Sequence, residues 1–218
     1  MSIHIKTFVC NPYQENTYVL YDETGSGVII DPGMYDSAEG TEVLTFIKDN
    51  NIHLELLLNT HCHIDHVLGN KLIYDTYTLL PNFNEKEIPL YAEIQSYAPQ
   101  MGIRYEVSPI SETFLPESGS IEFGNHSLEL IFAPGHSPGH SPGHLCFYNK
   151  DQGFLIGGDV LFKGSIGRTD LPGGDHDQLI QSIVKNVYVL PDETIVYPGH
   201  GPATTVGQEK RTNPFVRG

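Results

Sequence analysis

The sequence predicts an α/β fold in which two β-sheets pack together with helices outside them, in four layers. Short apolar runs typical of strands occur in both halves of the chain, and segments with helical periodicity lie between them. No internal repeat of about 20–50 residues is visible, which argues against a solenoid. A length of 218 residues suits one domain with a sizeable core, so we expect a single domain over residues 1–218.

In the first half, β-branched and aromatic runs predict strands at 17–21 and 28–30, joined by a hairpin at the sequence DETGSG. Residues 38–50 carry apolar side chains at helical spacing. The run LELLLNT at 54–60 is typical of a buried strand, and the sequence GNKLIYDTY after it predicts a helix. The first half therefore alternates strands with helices.

Residues 81–118 are irregular and rich in Pro, Tyr and Glu. Within them we expect a short strand at 90–92, a helix near 93–101 and then a loop. Further strands, each followed by turn residues, are predicted in SLELIFAPGH, LCFYN, GFLIGGD and TIVYPGH. The segment DQLIQSIVKNVYVL has helical periodicity, and VGQEKRTNPF predicts a polar terminal helix or tail.

Composition excludes several classes of function. Twelve Lys and Arg against 27 Asp and Glu give a formal net charge of −15, which repels phosphate backbones, so we expect no nucleic-acid partner. No apolar run approaches the roughly 20 residues that span a bilayer, and no signal peptide is visible, so we expect no membrane partner. The three cysteines are odd in number and far apart, which favours a reducing cytoplasm. Nothing indicates the oligomeric state.

The sequence THCHIDH at 60–66 places three imidazoles and one carboxylate within six residues. On an extended segment His61 and His63 point to the same side, so both can reach one cation. If a helix begins just after them, Asp65 and His66 can point to a second cation. The alternating side chain of Cys62 would point away from the metal, and we interpret it as a packing residue.

Three later strands end at residues of the same chemistry. A histidine follows LELIFAPG, Asp159 follows FLIGG, and His200 follows TIVYPG. Groups placed just beyond strand ends are typical of sites in α/β folds. Histidine and carboxylate ligands suit zinc, iron or manganese. We therefore expect two divalent metal ions, with zinc favoured over iron and manganese.

These motifs resemble those of the metallo-β-lactamase superfamily, and within it the single-domain hydrolases similar to glyoxalase II. THCHIDH is similar to the H-x-H-x-D-H signature of that superfamily. APGHSPGH, GGDVLFKGSIGRTDLPGGD and YPGHGPATTVGQEKRTNP are similar to its later motifs, so the resemblance spans residues 12–215. It implies an αββα sandwich with the metals at one edge of the two sheets.

The resemblance also implies a role for each ligand. His61, His63 and one histidine of the PGH repeat would bind the first ion, and Asp65, His66 and His200 the second. Asp159 would bridge the two ions, so Asp65 and Asp159 are the expected catalytic carboxylates. Two divalent cations, two carboxylates and a bridging hydroxide leave a net charge of about +1, which activates water and stabilises an oxyanion or a leaving thiolate.

The sequence departs from the family pattern in the segment PGHSPGHSPGH at 134–144, where the tetrad SPGH occurs twice. Counting from the preceding strand makes His136 the ligand, whereas counting back from LCFYN makes it His140. We favour His136, because strands precede the other ligands. His144 would then support a ligand or the local structure.

A second departure concerns the substrate. Two-domain glyoxalase II enzymes carry a C-terminal helical domain that binds glutathione, and this chain ends near its last metal motif. Arg168 resembles the basic residue that can meet a glutathione carboxylate in the family, although an ion pair with Asp170 is an equally good interpretation.

The predicted function is hydrolysis of a small-molecule acylthiol, a thioester such as S-lactoylglutathione. One alternative is a persulfide dioxygenase with a single iron ion, and another is a hydrolase of lactones or phosphodiesters on the same fold. A non-catalytic binding module is disfavoured, because the ligand set looks complete.

Overall fold

A computed structural model describes residues 1–135, 142–170 and 175–218 of the chain. Its helices are α1 Ser37–Asp49, α2 Ile64–Val67, α3 Asn70–Tyr77, α4 Ile88–Tyr97, α5 His176–Ser182 and α6 Val206–Thr212. Its strands are β1 His4–Cys10, β2 Glu15–Tyr21, β3 Ser26–Ile30, β4 His53–Leu58, β5 Pro81–Asn82, β6 Ser118–Phe123, β7 His126–Phe132, β8 Leu145–Asn149, β9 Phe154–Gly158, β10 Leu161–Phe162, β11 Ser165–Ile166, β12 Ile195–Pro198 and β13 Thr204–Thr205. Single 3₁₀ turns cover Glu85–Glu87 and Ala98–Met101, and a π-helical turn at Ile183–Val187 extends α5.

Within these ranges the strands form two large sheets. The N-terminal sheet has the order β1-β2-β3-β4-β5, and the C-terminal sheet has the order β13-β12-β9-β8-β7-β6. Each sheet contains a parallel pair, β3 with β4 and β9 with β12. Because parallel strands end at the same edge of a sheet, each pair brings the residues that follow it close together.

Strand alternation explains the layers. On β3, Val28 and Ile30 belong to the core cluster shared by both sheets, whereas Ile29 packs in the cluster that contains Val43 and Ile47 of α1. A strand that buries both faces must have a sheet on one side and helices on the other.

The C-terminal sheet repeats this arrangement. On β8, Leu145 and Phe147 face the other sheet, and Tyr148 packs in the cluster that contains Leu179 and Ile183 from α5 and the turn that follows it. The predicted four-layer αββα sandwich is confirmed.

Helix α1 confirms the helix predicted at 38–50 and has clear end signals. The carboxylate of Asp36 accepts hydrogen bonds from the amides of Ala38 and Glu39 at 2.9 Å each, and Lys48 lies in the last turn. Both features stabilise the free ends and the dipole of a helix.

Three sequence predictions were wrong or incomplete. The strand predicted at 90–92 lies inside α4, where Pro89 occupies the first turn and Leu90, Tyr91 and Ile94 are buried at helical spacing. Proline is tolerated at the first turn of a helix, so it starts α4 and does not end it. Strands β1 and β6 were not predicted. Both have exposed positions, and β1 lies at one edge of its sheet.

Cys10, Cys62 and Cys146 are free and buried, so none of them forms a disulfide. In the described ranges, every helix is too short or too polar to cross a lipid bilayer.

Candidate metal centre

Six of the seven predicted ligands lie in the described residues, come after strands of the two sheets and meet at one edge of the sandwich. His61 and His63 follow β4, and Asp65 and His66 begin the short helix α2 after them. Asp159 follows β9 directly, and His200 follows β12 after a single glycine. The centre therefore draws side chains from both sheets.

The first group of donor atoms comes from His61, His63 and Asp159, which we call the inner set. One nitrogen or oxygen from each lies within 4.8 Å of the others, and all three residues are buried. His61 Nε2 lies 2.9 Å from His63 Nδ1. Two imidazole nitrogens of neighbouring residues thus converge on one point, as the alternation of an extended segment predicts.

The second group comes from Asp65, His66 and His200, which we call the outer set. One nitrogen or oxygen from each of these residues lies within 4.8 Å of the others. Asp65 Oδ2 lies 3.1 Å from His200 Nε2 and 3.7 Å from His66 Nε2. The side chains of His200 and Asp65 are 27% and 14% exposed, so this set opens to solvent.

Asp159 lies between the two sets. It belongs to the inner set, and its Oδ1 is 3.5 Å from His66 Nε2 while its Oδ2 is 3.5 Å from His200 Nε2. Because Asp159 belongs to the inner set and also lies 3.5 Å from two histidines of the outer set, its carboxylate is placed where it could serve both sets.

A buried network orients the histidines of both sets. Asp31 Oδ1 accepts a hydrogen bond from the Thr60 amide at 2.7 Å, and Asp31 Oδ2 accepts one from the Thr60 hydroxyl, also at 2.7 Å. Because that hydroxyl proton points to Asp31, the Thr60 oxygen accepts from His61 Nδ1 at 2.9 Å. His66 Nδ1 donates to Asp31 Oδ2 at 3.1 Å. In this arrangement both imidazoles keep Nε2 for the centre.

One donor atom from each of Asp31, His61 and His66 also lies within 4.8 Å of the other two. Both oxygens of Asp31 already accept hydrogen bonds from Thr60 and His66. We therefore interpret Asp31 as a support for the ligands and not as a ligand. His200 is supported in the same way, because its Nδ1 donates to the Tyr13 carbonyl at 3.1 Å.

Glycines allow the strand ends to approach the centre. A Cβ atom at Gly199 would collide with Asp159 Oδ1 and come within 2.7 Å of His66 Cε1. At Gly158, where φ is +49°, a Cβ atom would lie 2.7 Å from the His144 ring. Side chains at these positions would fill the space between the donors.

Electrostatics at the centre favours a cation. Burial lowers the pKa of His61 well below its usual value, which keeps that imidazole neutral. Burial also lowers the pKa of His66, but Asp159 and Asp65 outweigh it and raise that pKa well above its usual value. The carboxylates thus create a negative potential at His66 that a bound cation would neutralise.

The donors fit a divalent metal. His66 Nε2 is buried and has no hydrogen-bond partner among the described residues, although it faces Asp65 and Asp159. A buried polar atom without a partner is costly, and a metal–nitrogen bond would satisfy it. Neutral imidazoles and carboxylates are the ligands that zinc, iron and manganese prefer.

The predicted third ligand of the first metal, His136, and its alternative His140 lie outside the described residues. His144 is buried, its ring stacks on that of His61 with centroids 4.8 Å apart, and its Nε2 accepts a hydrogen bond from the Asp159 amide at 3.1 Å. It therefore contacts one predicted ligand and holds the backbone of another.

Arg168, the predicted substrate anchor, forms a two-pronged ion pair with Asp170. Its Nε and one terminal nitrogen lie 2.9 and 3.0 Å from the two carboxylate oxygens, and both side chains are more than half exposed. The geometry matches the ion pair that the sequence offered as the other interpretation.

The sequence analysis missed Asp31, Thr60 and Glu15, whose side chains lie beside the predicted ligands. Asp31 follows β3 directly, so the rule that found Asp159 could have found it. Glu15 is fully buried, and its Oε1 lies 3.9 Å from His66 Nδ1. No spacing in the sequence marks Glu15, because tertiary packing alone brings it to the centre.

Comparison with known proteins agrees with this geometry. The family model described as the metallo-β-lactamase superfamily matches residues 10–200. A relative from Haemophilus influenzae, hydroxyacylglutathione hydrolase GloC, is 34% identical over 98% of each chain.

Two solved structures share the whole fold. The B3 metallo-β-lactamase BLEG-1 is 34% identical, with a TM-score of 0.88 over 99% of this chain and 100% of its own. TTHA1623 in a di-iron-bound form is 35% identical, with a TM-score of 0.84 over 97% of this chain and 100% of its own. With the donor sets at the edge of an αββα sandwich, these matches show that the chain belongs to the metallo-β-lactamase superfamily.

Proposed function

We propose that this protein is a metal-dependent hydrolase that cleaves a thioester, such as S-lactoylglutathione, to an acid and a thiol. The observation that carries the proposal is the position of Asp159, which belongs to the inner set and also lies 3.5 Å from His66 and His200 of the outer set. A single ion would need only one of the two sets. Their contact through a shared carboxylate supports a two-metal centre.

In this proposal the inner set and one histidine of segment 136–144 hold the first ion, and the outer set holds the second. When bound there, the ions would supply Lewis acidity that activates water and polarises a carbonyl. Asp159 and Asp65 orient their oxygens toward the centre, and Asp65 remains charged. Burial raises the pKa of Asp65, but the neighbouring His66 and His200 lower it further, so its net shift is downward.

The chain's own residues leave a net positive centre when two divalent cations are bound. Two carboxylates offset half of the cationic charge, and the histidines are neutral ligands. This charge would stabilise an oxyanion and a departing thiolate. No protein nucleophile is needed, and the side chain of Cys62 packs with Phe83 and Ile94, away from the donors.

The substrate would approach from the exposed side of the outer set. Tyr13 lies beside this side, because its carbonyl accepts a hydrogen bond from His200 Nδ1 at 3.1 Å. Phe162 contacts the His200 ring edge-on at 6.2 Å. Aromatic rings beside the opening suit the apolar parts of a small acylthiol.

Two further findings support a thioester over other substrates. The relative named hydroxyacylglutathione hydrolase matches the chain from end to end, and the net charge of −15 disfavours nucleic-acid phosphodiesters. Zinc is the proposed ion, and the di-iron form of TTHA1623 makes iron the first alternative.

The test uses protein prepared without metal and reconstituted separately with zinc, manganese or iron. We expect the zinc form to hydrolyse S-lactoylglutathione without oxygen, with weak affinity for glutathione. A β-lactam serves as a second substrate, because BLEG-1 carries that activity in its name. Zinc protein inert toward acylthiols, together with iron protein that consumes O₂ with glutathione persulfide, would favour the dioxygenase. Hydrolysis of the β-lactam alone would favour a lactamase.

A further inference from the structure

Glu87 is a buried carboxylate that lies close to the centre but outside both donor sets. It ends the 3₁₀ turn Glu85–Glu87, directly before α4, and it is fully buried. A charged side chain is almost never buried without strong partners. The hydrogen-bond donors that Glu87 contacts therefore indicate the role of this carboxylate.

The two oxygens of Glu87 bind two separate segments of the chain. Oε2 accepts a hydrogen bond from the Cys62 amide at 2.9 Å, and Oε1 accepts one from the Gly143 amide at 2.8 Å. Both distances lie in the ordinary range for N–H···O hydrogen bonds, and hydrogen bonds that a carboxylate accepts are about twice as strong as neutral ones.

Each of these amides lies next to residues of the centre. The Cys62 amide is located between His61 and His63, whose ring nitrogens converge at 2.9 Å. Gly143 precedes His144, whose ring stacks on that of His61 and accepts a hydrogen bond from the Asp159 amide. Glu87 thus joins the segment that carries the first two histidines to the end of the segment that carries the PGH repeat.

The surroundings hold Glu87 in place. Asn84 accepts a hydrogen bond from the Lys86 amide at 3.1 Å and donates to the Leu115 carbonyl at 2.8 Å, which fixes the start of the turn. A Cβ atom at Gly143 would lie 3.0 Å from Glu87 Cγ and 3.0 Å from Asn84 Oδ1. Glycine at this position therefore lets the two segments approach each other.

We propose that Glu87 is a positioning residue that fixes segment 142–144 against the histidine segment and thereby sets the geometry of the inner set for a divalent cation. The proposal rests on the proposed function, because it assumes that the inner set binds a metal. The two amides donate to different oxygens of Glu87, so both carboxylate oxygens are used. Glutamine presents only one, and aspartate is one methylene shorter.

The test compares three variants by their affinity for Co²⁺, measured in competition with a coloured chelator, and by the visible spectrum of the cobalt protein. Glu87→Gln removes one acceptor at constant size. Gly143→Ala disturbs the same link from the other side. Glu85→Gln, an exposed position in the same turn, is the matched control.

We expect Glu87→Gln and Gly143→Ala each to weaken binding of the tighter cobalt ion by about 10–100-fold, the range for residues that support metal ligands. Both should also change the spectrum, and the double variant should lose less than the sum of the two, because the changes act on one link. Glu85→Gln should match the wild type.

Unchanged affinity and spectrum in Glu87→Gln would overturn the proposal, even if the metal-free variant unfolded at a lower temperature. Should Glu87→Gln fail to fold, Gly143→Ala alone decides by the same criteria. A wild-type protein that binds no Co²⁺ would contradict the proposed function itself, which separates the two failures.

Discussion

The inner and outer donor sets use the same ligand types in different surroundings. His61, His63 and Asp159 are at most 7% exposed, and Thr60, His144 and Glu87 surround them. In the outer set His66 is equally buried, but His200 and Asp65 reach solvent. Under the proposed function this difference would divide the roles, so that the inner set would hold an ion tightly while the outer set would meet the substrate.

The largest expected effect is that of Asp159→Asn, because this residue contacts both sets. We expect a loss of kcat/KM well above 100-fold together with a lower metal content, since replacing a supporting residue alone costs about 10–100-fold. Asp170→Asn, an exposed carboxylate paired with Arg168, is the control. Similar losses in the two variants would show that Asp159 does not join the sets.

The second effect concerns the third histidine ligand of the ion that the inner set would hold. We expect one of His136→Ala and His140→Ala to remove that ion while the other leaves it, and we predict His136 as the ligand. His144→Ala should give an intermediate loss of affinity, because His144 supports His61 and Asp159. Metal analysis of the three variants decides. Loss in His140→Ala alone would show that the extra tetrad precedes the ligand.

The third effect tests the difference in exposure directly. Titration with a chelator should release the ions in two steps, the outer one first, because solvent reaches His200 and Asp65. His200→Ala should abolish the first step and keep the second, as followed by metal content per chain. Release of both ions in one step from the wild type would mean that the sets bind as a unit.

The smallest effect is that of Arg168→Ala. A contact between the exposed Arg168 side chain and a substrate carboxylate would be an exposed ion pair, which contributes at most about 1 kcal/mol. We therefore expect KM to rise less than tenfold with kcat unchanged, which is the signature of lost ground-state binding. Arg104→Ala is a matched control, because Arg104 pairs with Glu106 at the same spacing on an exposed surface. A large fall in kcat for Arg168→Ala would instead place this side chain at the reacting atoms.

The sequence predicted the parts of the centre that follow a local rule. His61 and His63 alternate on one extended segment, and Asp159 and His200 follow strands, so spacing was sufficient to single them out. The fold class was predictable for the same reason, because buried strands and amphipathic helices have distinct periods.

The supporting residues could not be predicted in this way. Glu15 and Glu87 lie far from their partners in the sequence, and only the packing of the sheets and of α4 brings them to the centre. The misassigned strand at 90–92 has a local cause, since Leu90 and Tyr91 suit either a strand or a helix, and burial against Phe83 and Ile94 decided for the helix.

The meeting of both sheets at one edge has a consequence for the protein's persistence in a cell. His61 and His63 extend from one sheet and Asp159 from the other, so an ion between them would fasten the two halves of the sandwich. Such an ion would bind the native chain in preference to the unfolded one. At a free metal concentration of about a thousand times the dissociation constant, it would add about 4 kcal/mol to the free energy of unfolding. Under metal starvation the protein would therefore lose stability as well as its proposed hydrolytic activity. Proteases would degrade the metal-free form faster than the metal-bound form.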